Sequence, residues 1–126
     1  MFATDKHMEL LELTLETVTS AHLTVYLQSL RNGIDAMLEL ADEWEEMADI
    51  EQMHFRQEFT RLLGLRQVLG AAYQTNLLTP TQSQALTELD RSLLQHAAMI
   101  EFLHHISLRQ LLHNLFTWGT PLAYEP

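Results

Sequence analysis

Two breaks punctuate an otherwise helix-patterned chain, and they limit what it can fold into more than any other feature. Arg31-Asn32-Gly33 and the stretch from Thr75-Asn76 to Thr79-Pro80 divide the sequence into three long segments. Glycine or asparagine past a helical stripe supplies a left-handed stop. Threonine followed by proline opens a helix. No segment alternates apolar and polar residues as a half-buried strand does. The expected fold class is therefore all-α: one domain spanning residues 1–126, built from three long antiparallel helices.

The first segment runs from about Thr4 to Arg31. Met8, Leu11, Leu15, Val18, His22 and Val25 recur at three- and four-residue steps along it and mark one helical face. Thr4 or Asp5 is placed to cap its first N–H groups. The second segment opens near Ile34 and carries Met37, Leu38, Trp44, Phe55, Phe59, Leu62, Leu69 and Tyr73 in one stripe as far as about Thr75. Gly64 is a candidate kink, but the stripe keeps its phase across it, which favours one long helix. In the third segment Thr79 is the N-cap, Pro80 the first helical residue and Gln82 the partner that closes a capping box. The stripe from Leu86 through Leu89, Leu93, Ile100, His104, Leu111 and Leu115 then continues to Trp118, before Gly119 and Pro121.

Reach suggests association. Short connections make successive helices neighbours, and the first segment covers the second only to about Arg61. The hairpin from Leu62 to Leu94 is left with apolar surface: Leu62, Leu65, Leu69, Tyr73, Leu86, Leu89 and Leu93. Exposed apolar patches of that size mark interfaces. The expectation is a homodimer in which two hairpins complete a bundle. The competing expectation is a bend at Gly64 that folds the hairpin onto its own chain.

Charge narrows the function classes. The formal net charge is −10, and the seven Lys and Arg residues are scattered. No nucleic-acid footprint is present. Glu39, Asp42, Glu43, Glu45, Glu46, Asp49 and Glu51 follow one another with no base among them. They form either a solvated face or a docking surface, Asp42–Glu51, for a basic protein partner. There is no cysteine, no signal-like N-terminus and no apolar run near the roughly 20 residues of a membrane span. A cytoplasmic protein with no membrane partner is expected.

One pattern carries metal chemistry. Glu51-x-x-His54 and Glu101-x-x-His104 each put a carboxylate and an imidazole on adjacent turns of one helical face. This spacing resembles that of ferritin-like di-iron or di-manganese carboxylate bundles, over these eight residues alone. The resemblance implies a metal layer of Glu12, Glu51, His54, Glu101 and His104 holding Fe or Mn, with a further carboxylate from a partner chain. The bland reading makes His104 a core histidine and the others flanking polar residues. On the phases of the stripes, Glu51, His54 and Glu12 sit at or beyond the edges of their apolar faces, which favours the bland reading.

Weaker patterns fall away. Glu9-x-x-Glu12 with Glu39-x-x-Asp42 resembles the acidic pairs of all-α nucleotide pyrophosphohydrolases, but the expected hairpin holds the pairs on the order of 20 Å apart. Arg91-x4-His96 is similar to helical ribonuclease toxins, in a chain too acidic for RNA. His22 lacks the context of a phosphotransfer histidine. The sequence reads as a non-catalytic helical interaction protein without cofactor, such as a small adaptor, regulator or assembly factor, with the metal-binding bundle as the alternative.

Overall fold

The computed structural model describes residues 20–122. Thr4, Asp5, Glu9, Glu12 and the tail from Ala123 to Pro126 lie outside them. The described residues are all-helical, in five α-helices: α1 (Ser20–Leu40), α2 (Asp49–Gln74), α3 (Pro80–Gln95), α4 (Ala97–His104) and α5 (Leu108–Trp118). A 3₁₀ segment, Ala41–Glu46, joins α1 to α2. None of these helices is long and apolar enough to cross a membrane.

The first break expected from the sequence is not one. α1 runs straight through Asn32-Gly33 and takes in Ile34 and Met37. The glycine serves a helix contact instead: a Cβ at Gly33 would lie 2.4 Å from Leu62 Cδ2. Asn32 is satisfied within the helix, its Oδ1 accepting from Gln28 Nε2 at 2.9 Å. The true break follows Leu40, inside the acidic run. Carboxylates are unfavourable at a helix C-terminus and favourable at an N-terminus. Ending α1 here places Asp49 and Glu51 in the first turn of α2. Met47 and Ala48 are extended, and Glu51 Oε1 accepts from the Ala48 N–H at 3.3 Å. α2 passes Gly64 as one helix, and nothing packs where that glycine's Cβ would be.

The second break is as the sequence indicates. Asn76 is left-handed (φ 61°), and the Leu77 N–H returns to Ala72 O at 2.9 Å, closing α2. Thr79 and Gln82 cap α3 reciprocally, at 2.9 and 3.1 Å. The third segment, expected to be continuous to Trp118, is cut instead. His105 turns left-handed (φ 56°), and Ser107 Oγ accepts from the Gln110 N–H at 3.1 Å to start α5.

Contacts fix the path. Gln82 Nε2 donates to Ser20 O at 2.8 Å and to Thr24 Oγ1 at 2.9 Å, so α1 sets out beside the α2–α3 turn. Arg56 Nε donates to Leu103 O at 2.9 Å, so α3 and α4 lie back along α2. At the end of α5, Trp118 O and Gly119 lie against Gly70 so closely that a Cβ on Gly70 would meet Trp118 O at 2.4 Å. One core results, drawing Leu23, Leu27, Leu30, Ile34 and Met37 from α1, Leu62 and Leu69 from α2, Leu86, Leu89 and Leu93 from α3, Ile100 from α4, and Leu111 and Leu115 from α5. The core face of α1 is therefore not the stripe that includes His22 and Val25, both of which are exposed.

Candidate functional site

Of the metal set, Glu12 lies outside the described residues. Glu51, His54 and Glu101 are exposed, and the Glu51 carboxylate serves the start of α2. His104 is half-buried. Its ring stacks on Phe55 (centroids 5.5 Å, planes 6° apart) and on Phe59 (4.0 Å, 11°). Burial first, then the positive charges of Arg56 and His105, lower its pKa to about 4. The imidazole is thus neutral at pH 7, with a buried Nε2 that makes no hydrogen bond. Among the described residues no three His, Asp or Glu side chains form a group able to hold a metal.

The set expected to bind a partner sits elsewhere too. Leu62, Leu69, Leu86, Leu89 and Leu93 are buried within the single chain, and Leu65 and Tyr73 are half-buried. Sequence reach missed this because the chain turns at His105–Ser107 and brings Leu111 and Leu115 of α5 back into the same core. The signal for that turn was legible: Ser107-Leu108-Arg109-Gln110 has the S-x-x-Q spacing of a capping box.

At the heart of the hairpin is an ion pair. Arg66 Nε and Nη2 donate to Asp90 Oδ1 and Oδ2, each at 2.7 Å, and both side chains are fully buried. Nη2 also donates to Gly119 O at 2.7 Å, and the Thr120 hydroxyl donates to Asp90 Oδ2. The pair fastens the chain beyond α5 to α2 and α3. It is a structural lock: the bidentate geometry pairs the two charges, while Arg66 Nη1 is buried without a hydrogen-bond partner.

The acidic corner is the surface with the clearest chemical character. Glu39, Asp42, Glu43, Glu45, Glu46, Asp49 and Glu51 are all exposed. Among the described residues, none of the seven forms an ion pair; the three pairs are Arg31–Glu88, Arg61–Glu58 and Arg66–Asp90. A buried tryptophan fixes the corner. Trp44 packs against Phe55 at 5.5 Å, Arg56 lies 5.0 Å over its ring, and Trp44 O accepts from Gln52 Nε2 at 2.8 Å. Arg56, the base nearest this anchor, is thus engaged with the indole and with Leu103 O. The corner presents concentrated negative charge on a held backbone, which suits a cationic surface.

Two further motifs are local. His96 Nδ1 lies 2.8 Å from Ser92 O, one turn back along its own helix, and Arg91 is exposed. Compared with known protein families, curated proteins and solved structures, the chain matches none.

Proposed function

We propose that this protein is a non-catalytic helical interaction protein, a small adaptor or assembly factor that acts as a homodimer and presents its acidic corner to a basic protein partner. The observation that carries the reading is the corner itself: seven exposed carboxylates near Trp44, none of them in an ion pair among the described residues. Like charges so close together repel by a few tenths of a kcal/mol per pair. A cationic partner relieves that repulsion as it binds.

The test is titration with a lysine- and arginine-rich helical peptide, followed by calorimetry at low and physiological salt. Glu43→Gln, Glu45→Gln, Glu46→Gln and Asp49→Asn together should weaken binding at least about tenfold, and salt should weaken it further. Neutralising Asp35, Glu58, Glu88 and Glu101 instead removes the same charge from elsewhere and should leave binding nearly unchanged. Equal loss from both sets would mean that net charge alone attracts the peptide, and the corner reading would fail.

The alternative is a ferritin-like metal-binding bundle, and its support is the twin Glu-x-x-His spacing. It requires Glu12 and a second chain to complete a ligand layer. Stoichiometric Fe or Mn in protein purified without chelator, lost in His104→Ala, would replace the adaptor reading.

A further inference from the structure

α5 is an arm on a short hinge. Three residues, His105, Ile106 and Ser107, separate the end of α4 at His104 from the start of α5 at Leu108. The arm is held by α2 and α3. Leu111 and Leu115 enter the shared core, and Gln74 Nε2 donates to Thr117 O at 3.4 Å. Arg66 Nη2 donates to Gly119 O at 2.7 Å, and the Thr120 hydroxyl donates to Asp90. A socket built this way serves an arm from either of two identical chains.

The hinge is where the chain departs from its own local preference. His105 is left-handed (φ 56°), a conformation that costs a non-glycine residue free energy and that the surrounding structure must impose. The closed turn is supported by Ser107, whose Oγ accepts from the Gln110 N–H at 3.1 Å. No Gly or Pro occurs from Thr81 to Trp118, so nothing in the sequence stops a helix from running through the hinge. The apolar rows agree with such a helix. Ile100 and Leu111, both fully buried, are eleven residues apart, which is three helical turns to within about 20°. Opening the hinge into helix relieves His105 and joins the backbone ladders of α4 and α5. It also carries Leu111 and Leu115 away from their own α2 and α3. They then need an equivalent socket, and a second copy of the chain has one.

We propose that two copies of the chain exchange α5, each arm docking with Gly119 and Thr120 on the α2 and α3 of the other. The buried Arg66–Asp90 pair is the floor of the socket, and the exchanged chain's Gly119 carbonyl and Thr120 hydroxyl close on it. The inference rests on the homodimer in the function proposed above. It gives that dimer an interface, which the leucines of the Leu62–Leu94 hairpin do not, being buried within one chain.

The test combines cross-linking with sedimentation. The chain has no cysteine, so Gln74→Cys with Thr117→Cys places thiols at two exposed positions across arm and socket. Protein equilibrated at ~100 µM in ~0.15 M salt, then diluted and treated at once with a short bismaleimide, should run as a covalent dimer on a denaturing gel. Sedimentation equilibrium from about 1 to 100 µM gives the dissociation constant without the cross-link. His105→Gly removes the left-handed strain of the closed hinge and weakens the open helix, so it should raise that constant at least about tenfold. Ser107→Ala removes the cap of the closed turn and should lower it several-fold. A dimer whose cross-links stay within each chain overturns the exchange and leaves the homodimer standing. So does a dimer that His105→Gly tightens or leaves unchanged. A wild type that is monomeric at ~100 µM overturns both. The cationic-peptide titration reports the acidic corner separately in each case.

Discussion

Removing the Asp90 carboxylate is the sharpest perturbation of this fold. In Asp90→Ala the Arg66 guanidinium stays fully buried, has lost both 2.7 Å bonds to its counter-charge, and keeps only Gly119 O. Breaking a buried pair from one side costs about 3–5 kcal/mol, because an uncompensated charge remains in a medium that cannot solvate it. Whole domains have about 5–15 kcal/mol of stability. The variant should thus lose a fifth or more of its margin, and its thermal midpoint should fall by roughly 10–25 °C for a chain of this size. Removing both charges is a different experiment. Arg66→Met with Asp90→Leu fills the same space with apolar atoms, and the remaining cost is the unmatched Gly119 carbonyl and Thr120 hydroxyl at about 1–2 kcal/mol. The double variant should be more stable than Asp90→Ala by at least about 1 kcal/mol. Urea unfolding followed by far-ultraviolet circular dichroism measures all three, provided the slope against denaturant is unchanged. An Asp90→Ala cost below about 1 kcal/mol, or a double variant no more stable than Asp90→Ala, would refute the account of the pair as a lock whose members depend on each other.

Two other outcomes follow from the packing. His104, with its pKa lowered from 6.5 to about 4, is neutral in the folded chain while the unfolded chain binds a proton below about pH 6.5. Its contribution is therefore fully present above pH 6.5 and declines as pH falls toward 4. The loss should be about 1–2 kcal/mol, since water still reaches the half-buried ring, and His104→Phe should flatten that part of the stability–pH curve. The two close-approach glycines should respond unequally to alanine. At Gly33 the new methyl meets the Leu62 side chain, which can shift at about 1–3 kcal/mol, whereas at Gly70 it meets the Trp118 carbonyl at 2.4 Å and must displace the end of α5. Thermal melts should rank Gly70→Ala as the more damaging, and Trp118 fluorescence should change only there.

Caps were legible in this sequence, and breaks were legible only where a cap accompanied them. Thr79-Pro80-Thr81-Gln82 names its own helix start, because side-chain oxygen, proline and glutamine satisfy the orphan N–H groups locally. Asn32-Gly33 is a stop signal by local chemistry, yet tertiary packing overrides it: the bare Cα admits Leu62, and the fold gains a close helix contact in place of a turn. The acidic run showed the reverse. Nothing in residues 41–48 is glycine or proline, so the break there arises from charge against helix dipole and from burial of Trp44, neither of which has a one-residue signature. The buried pair was also within reach. Arg66 interrupts the stripe Phe59, Leu62, Leu69 at helical spacing, and reflection through Leu78 at the second turn lands on Asp90.

The two stripes that meet on α1 show why periodicity fixes the fold class before it fixes the core. Both Leu23–Met37 and Met8–Val25 obey helical spacing, and where they overlap, from His22 to Val25, the sequence alone gives no reason to prefer either. Placing a stop at Gly33 truncates the Leu23–Met37 row and gives the Met8–Val25 row the character of a buried face. With α1 continuing to Leu40, the Leu23–Met37 row gains Ile34 and Met37 and spans the length over which α2 and α3 can cover it.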